Sequence, residues 1–218
     1  MRIRVSRGMV VLLLGVAVLG VVRAGQEEDY RALWEQVWPW LIVALAAGIH
    51  EGGHLIAAWG AGVGIKGMRF DLFGARMELR GLLSYGQELM VAAGGPLASF
   101  LSAAVAYPFR ALQGGAGVSL FFGASLILGG VNLLPVSTLD GGRILGCAIA
   151  WLIGEGAARI ALQVTTGFCL GLLWLLAVYA LLRDGQMLSL FVFSFCLLVR
   201  SATGERSRDM VEQNLSYG

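Results

Sequence analysis

The chain has 218 residues, 57% of them hydrophobic and only 14% charged. A soluble domain carries about a quarter charged residues, so this composition excludes an ordinary water-soluble globule and points to lipid as the solvent. A net charge of +2 leaves no basic footprint for nucleic acid. Cys147, Cys169 and Cys196 stand apart without CxxC or Cys/His spacing, which excludes a disulfide framework and makes them small packing residues.

Taken in order, Arg2, Arg4 and Arg7 precede an apolar run at 8–22. That run is short against the roughly 20 residues of a spanning helix and has the look of a signal peptide. Its flank, Val22-Arg23-Ala24-Gly25, offers no A-x-A cleavage site, so a retained first transmembrane helix is expected. A polar loop at 23–35 contains Glu27, Glu28 and Asp29. The second span, 37–59, starts among Trp34, Trp38 and Trp40, the aromatics that favour a membrane interface. Between 65 and 80 the period changes: Met68-Arg69-Phe70-Asp71-Leu72 and Met77-Glu78-Leu79-Arg80 alternate strictly, around Phe73-Gly74-Ala75-Arg76. Period-two alternation about a glycine predicts a small β-hairpin. It either rests on the membrane surface as a simple closure or offers an open edge to an extended peptide.

The third span, 89–109, contains Gly94-Gly95-Pro96, and only a short loop separates it from the fourth, 118–134, which Pro135 stops. A shorter apolar helix follows at 142–153, then spans at 160–182 and 187–199 and a polar tail at 201–218. The expected fold is an all-α polytopic membrane protein of about six transmembrane helices, with residues 1–200 as one domain. Six crossings place Arg2, Arg4, Arg7, Lys66, Arg69, Arg76, Arg80, Arg143, Arg159, Arg200, Arg206 and Arg208 on one side. Arg23, Arg31, Arg110 and Arg183 fall on the other. The positive-inside rule then makes both termini cytoplasmic, with the C-terminal half of the second span on the same side.

That half holds His50-Glu51-Gly52-Gly53-His54, an HExxH pattern containing both histidines of the chain. Residues four apart lie above one another on a helix face, so His50 and His54 can bind one zinc ion together. Glu51 sits on the adjoining face, placed to take a proton from a water held there. An HExxH match in a soluble chain is often accidental. Three ionisable groups within a membrane span, each costing several kcal/mol unless paired, call for a compensating partner. Catalytic zinc sites have three protein ligands and an open position, and Asp140 is the strong candidate for the third. It lies in Asn132-Leu133-Leu134-Pro135-Val136-Ser137-Thr138-Leu139-Asp140-Gly141-Gly142, where Pro135 and the glycine pair break the helix. Irregular backbone at membrane depth is tolerated where it is buried in protein or lines a wet cavity. On spacing alone, Asp140 could instead cap the helix 142–153.

The two motifs together resemble the site-2 protease family of intramembrane zinc metalloproteases: His50, Glu51 and His54 in the first, and Asn132, Pro135, Leu139, Asp140 and Gly141 in the second. Gly95-Pro96 resembles the Gly-Pro of the family's third span. The resemblance covers residues 42–142 directly. It implies His50, His54 and Asp140 as ligands of one Zn2+, Glu51 as general base, and Asn132 as a contact to the substrate backbone or developing oxyanion. It also implies a membrane-associated protein substrate, such as a membrane-anchored transcription regulator or a sigma-factor precursor, and a possible regulatory membrane protein as partner. Without a PDZ-like insertion, the compact plan with Asn-Leu-Leu-Pro before Leu-Asp-Gly-Gly-Arg is most similar to the bacterial sporulation branch. The tail at 201–218 is too short for the nucleotide-sensing CBS domain usual there, so nucleotide regulation is not carried over. Two rivals remain at this point. A metal transporter should place polar groups on several spans or show a repeated half, yet 160–182 and 187–199 carry no charge and no repeat is visible. A non-catalytic scaffold that binds the same substrates is disfavoured by the intact Glu51.

Overall fold

The computed structural model describes residues 2–5, 30–71, 74–79, 81, 83–112, 115–184, 192 and 194–199. The expected first span and the polar tail lie outside these, as do 187–191 and 193 of the sixth span, whose residues 192 and 194–199 are helical. The described chain is mostly helical. In order it forms β1 (Arg2–Val5), α1 (Tyr30–Gly60), β2 (Ile65–Asp71), β3 (Gly74–Leu79), α2 (Tyr85–Ala111), α3 (Ala116–Asn132), α4 (Asp140–Leu152) and α5 (Glu155–Asp184). By length and composition, three described helical stretches can cross a membrane: Val37–Gly60, Tyr85–Ala111 and Glu155–Arg183. The expected fourth span corresponds to α3, an apolar helix of 17 residues, at the short end of the lengths that cross a membrane. The chain divides into two compact units, Met1–Gly130 and Val131–Gly218.

In the first unit α1 begins at Tyr30, so residues 30–35, expected in a polar loop, are helical. It ends on a Schellman turn: Gly62 adopts φ +70, Val63 donates its N–H to the Ala58 carbonyl, and Gly62 donates to Trp59. α2 starts four residues ahead of the expected span on a capping box. The Gln87 N–H donates to Ser84 Oγ, and the Gln87 side chain accepts from the Ser84 N–H. The Gln87 amide also donates to the Ala61 carbonyl at 3.1 Å, tying the start of α2 to the end of α1. The two helices cross where glycines remove the side chains between them. A Cβ on Gly53 would overlap the Gly94 carbonyl, and one on Gly94 would lie 2.6 Å from the Gly53 carbonyl oxygen. Small residues that bring backbones together drive helix association in lipid, where no hydrophobic force acts between helices.

The sheet has the order β1-β2-β3. β2 and β3 pair antiparallel from Ile65 opposite Leu79 to Asp71 opposite Gly74, with an irregularity between Ile65 and Gly67. Gly74, Ala75 and Arg76, expected in the connection, therefore belong to β3. β1 pairs with β2 in parallel, Arg2 opposite Gly67 and Val5 opposite Phe70. The sequence shows Arg2 and Arg4 only as a basic flank, because four residues are too few to display a period. Ala58, Val63 and Val91 form a buried cluster against which Ile65, Met77, Leu79 and Leu83 pack, so the sheet is seated on the end of α1 and the start of α2.

In the second unit, a loop at 133–139 leads into α4, and α5 follows after Gly154 at φ +123. Gly146 of α4 lets Leu162 of α5 approach: a Cβ there would meet Leu162 Cδ1 at 2.8 Å. Val136 and Leu139 of the loop are buried with Leu170 and Leu197. The Ser137 N–H donates to Thr166 Oγ1 at 2.9 Å.

Candidate metal centre

His50 and His54 lie one turn apart on α1, 3% and 7% exposed, with ring centroids 5.0 Å apart and planes nearly perpendicular. Each uses its Nδ1 to hold on to α2. His54 Nδ1 lies 2.7 Å from the Val91 carbonyl oxygen. A carbonyl can only accept, so Nδ1 carries the proton and Nε2 keeps the lone pair. His50 Nδ1 lies 2.9 Å from Ser99 Oγ, itself 1% exposed. Between these two anchors, Gly95 provides a hollow. A Cβ on it would fall 2.8 Å from His50 Nε2 and closer still to His54 Nε2. Both Nε2 atoms thus converge on one point of the α2 backbone, and the ligand atoms of the two rings are within 4.8 Å of each other. Two imidazoles oriented through Nδ1 with Nε2 on a common focus are what a metal ion requires of a histidine pair. Glu51, half-buried, follows His50 on the adjoining face of α1.

Asp140 and Asn132 belong to the second unit. Asp140 is the first residue of α4 and 9% exposed. The N-cap of α4 is Leu139, with no side-chain cap bond, so Asp140 does not serve as the cap that its spacing also allowed. Its carboxylate stands in the first turn, where the helix dipole favours negative charge. The glycine pair after it is a steric necessity. A Cβ on Gly141 would overlap the Leu133 carbonyl and lie 2.6 Å from the Leu134 oxygen, and one on Gly142 would overlap the Val136 carbonyl. The loop therefore wraps directly over the first turn of α4, with Pro135 as its rigid corner. Asn132, half-buried, ends α3 at the mouth of this loop.

Ser99 escaped the sequence reading, as did the packing role of Gly95. A signal for Ser99 was present: a serine at i+4 from Gly95, on the face of a predicted span that also carries Val91 at i−4. What it bonds to, 49 positions earlier in the chain, could not be read from local pattern.

Among solved structures, the chain is similar to the "Site-2 Protease from Methanocaldococcus jannaschii". The TM-score is 0.64 at 19% sequence identity, covering 92% of this chain and 89% of that one. At this identity the likeness establishes a shared fold. With the three long apolar helices, that fold fits an integral, polytopic membrane protein. No protein-family model and no curated protein matches the chain. The connection between α2 and α3 is short, running from Ala111 to Ala116, with no room for an inserted domain.

Proposed function

We propose that this chain is a zinc-dependent endopeptidase of the site-2 protease family, which hydrolyses peptide bonds of membrane-associated regulatory proteins within the bacterial cell membrane. The observation that carries the reading is the pair of buried imidazoles on α1, each turned through Nδ1 so that both Nε2 atoms converge. To these two imidazoles we add Asp140, the third ligand that its motif implies, as the donor set for one metal ion. Two imidazole nitrogens and one carboxylate oxygen are ligand types that would suit zinc. When bound there, zinc would supply Lewis acidity toward a water and a carbonyl.

The chain's own residues do the rest. Glu51, next to His50 on α1, takes the proton from the attacking water and returns it to the leaving amine. Asn132 offers its amide N–H to the substrate carbonyl as charge develops on oxygen. A helical peptide bond is internally satisfied and shielded, so the substrate must first be extended. β3 is one of the two edge strands of the described sheet, the other being β1, and we assign to its outer edge the pairing with that extended segment. The short α2–α3 connection and the run Asn-Leu-Leu-Pro before Leu-Asp-Gly-Gly-Arg support the sporulation branch, whose substrate class is a sigma-factor precursor. Cytoplasmic termini follow from the distribution of arginines.

The test compares wild type with Glu51→Gln in detergent, measuring zinc content and cleavage of a panel of single-span reporter proteins. Both are expected to hold about one zinc while only the wild type cuts, since the amide keeps the shape and loses the base. Cleavage by the variant at the wild-type rate would refute the mechanism. Zinc in both with no cleavage by either would favour a non-catalytic scaffold.

A further inference from the structure

The positions on α2 that meet the imidazoles are Val91, Gly95 and Ser99, each four residues from the next and so on one face of the helix. They contribute different things. Val91 offers a backbone carbonyl, which any residue at that position would also supply. Gly95 offers the absence of a side chain. Ser99 alone offers a side-chain group, and its hydroxyl is the hydrogen-bonding atom on His50 Nδ1. The contact is buried. Ser99 is 1% exposed, and Gly129 of α3 sits against it, since a Cβ on that glycine would lie 3.1 Å from Ser99 Cβ. In a low-dielectric interior a hydrogen bond orients its partners more strongly than in water.

We infer that Ser99 is a positioning residue for His50, fixing its ring orientation so that Nε2 faces a metal ion. When Nε2 ligates, Nδ1 must carry the proton and needs an acceptor. At 2.9 Å, Ser99 Oγ is placed to accept it, since a hydroxyl can accept as well as donate. Without it the buried ring gains by turning or by moving its proton to Nε2, and either change removes a ligand. Val91 orients His54 from the same helix through its main-chain carbonyl. The inference rests on the metal-centre reading above and adds to it a residue outside both sequence motifs.

An isosteric pair of variants separates the hydroxyl from its bulk: Ser99→Thr keeps the oxygen, and Ser99→Val replaces it with a methyl group of the same shape. Ser99→Ala removes the hydroxyl outright. Ser102→Ala is the control, because Ser102 Oγ donates to the Ser99 carbonyl at 2.8 Å within the helix and leaves the Ser99 side chain untouched. Zinc affinity would be read by competition with a chromophoric chelator, and ligand geometry by the visible spectrum of the cobalt-loaded protein, after each variant has passed gel filtration in detergent. Losing an outer partner of a ligating histidine costs about 10–100-fold in affinity. Ser99→Val and Ser99→Ala are expected to fall in that range with altered cobalt spectra, while Ser99→Thr and Ser102→Ala stay close to wild type. If one of the first two fails to fold, the other against Ser99→Thr decides. Equal affinity in Ser99→Val and Ser99→Thr, whether both strong or both weak, overturns the inference, because bulk and not the hydroxyl then governs the site. Absence of zinc from the wild type would instead overturn the metal reading itself.

Discussion

At the scale of the residue, Gly95 shows how much of the candidate centre depends on a missing atom. The two imidazoles occupy the space its side chain would fill, and the Cβ position lies within 2.8 Å of His50 Nε2. Gly95→Ala therefore cannot be accommodated by the movement of a flexible tip, because the colliding atoms are the rings' own ligand nitrogens. Overpacking of this kind costs about 1–3 kcal/mol. Here the strain is relieved most cheaply by swinging the rings off their focus. The variant is expected to insert and remain helical by circular dichroism while purifying with well under one zinc per chain. A variant that keeps full zinc content would show that the rings in the loaded protein do not crowd Gly95 as they do in this structure.

At the scale of the element, what could be read from sequence was what repeats locally. His50 and His54 fall on one face of α1 because residues four apart always do, and Asp140 is marked by a proline and two glycines that break a helix. The long-range consequences were not legible. Ser99 meets His50 across 49 positions and Val91 meets His54 across 37, and no local period encodes which helix crosses which. The strand β1 was illegible because pairing with β2 alone defines it. The start of α2 lies between these cases: Ser84-Tyr85-Gly86-Gln87 is a capping-box pattern, overlooked because hydropathy begins the span later, at Leu89. Its role makes a prediction. Ser84→Ala leaves the Gln87 N–H without its side-chain acceptor, which costs about 1 kcal/mol. Thermal unfolding in detergent should show a lower midpoint of that order, with zinc content unchanged, since Ser84 is exposed and far along α2 from Gly95. Loss of zinc in this variant would mean that the first turn of α2 governs the ligands directly.

At the scale of the whole molecule, the proposed ligands come from distant parts of the sequence, and an unfolded chain has no reason to bring them together. Zinc binding is then folding free energy. A ligand that binds only the native state stabilises it by RT ln(1 + [L]/Kd), about 4 kcal/mol at a thousandfold excess over Kd. The wild type in detergent is therefore expected to unfold at a higher temperature with added zinc and at a lower one after chelation, the midpoint rising with the logarithm of free zinc. Asp140→Asn separates this linkage from non-specific effects. The amide preserves volume in the tightly wrapped loop over α4 but removes the carboxylate, so the variant should fold with a nearly wild-type midpoint in chelator and respond to zinc only at much higher concentrations. His50→Ala should likewise respond to zinc only at much higher concentrations, from a chelator midpoint lowered by the cavity left in place of the buried ring. If Asp140→Asn shifts with zinc as the wild type does while His50→Ala does not, the histidines bind metal with some other third ligand, and Asp140 must be reassigned. If none of the three responds, the buried imidazoles serve packing alone, and the peptidase reading falls with them.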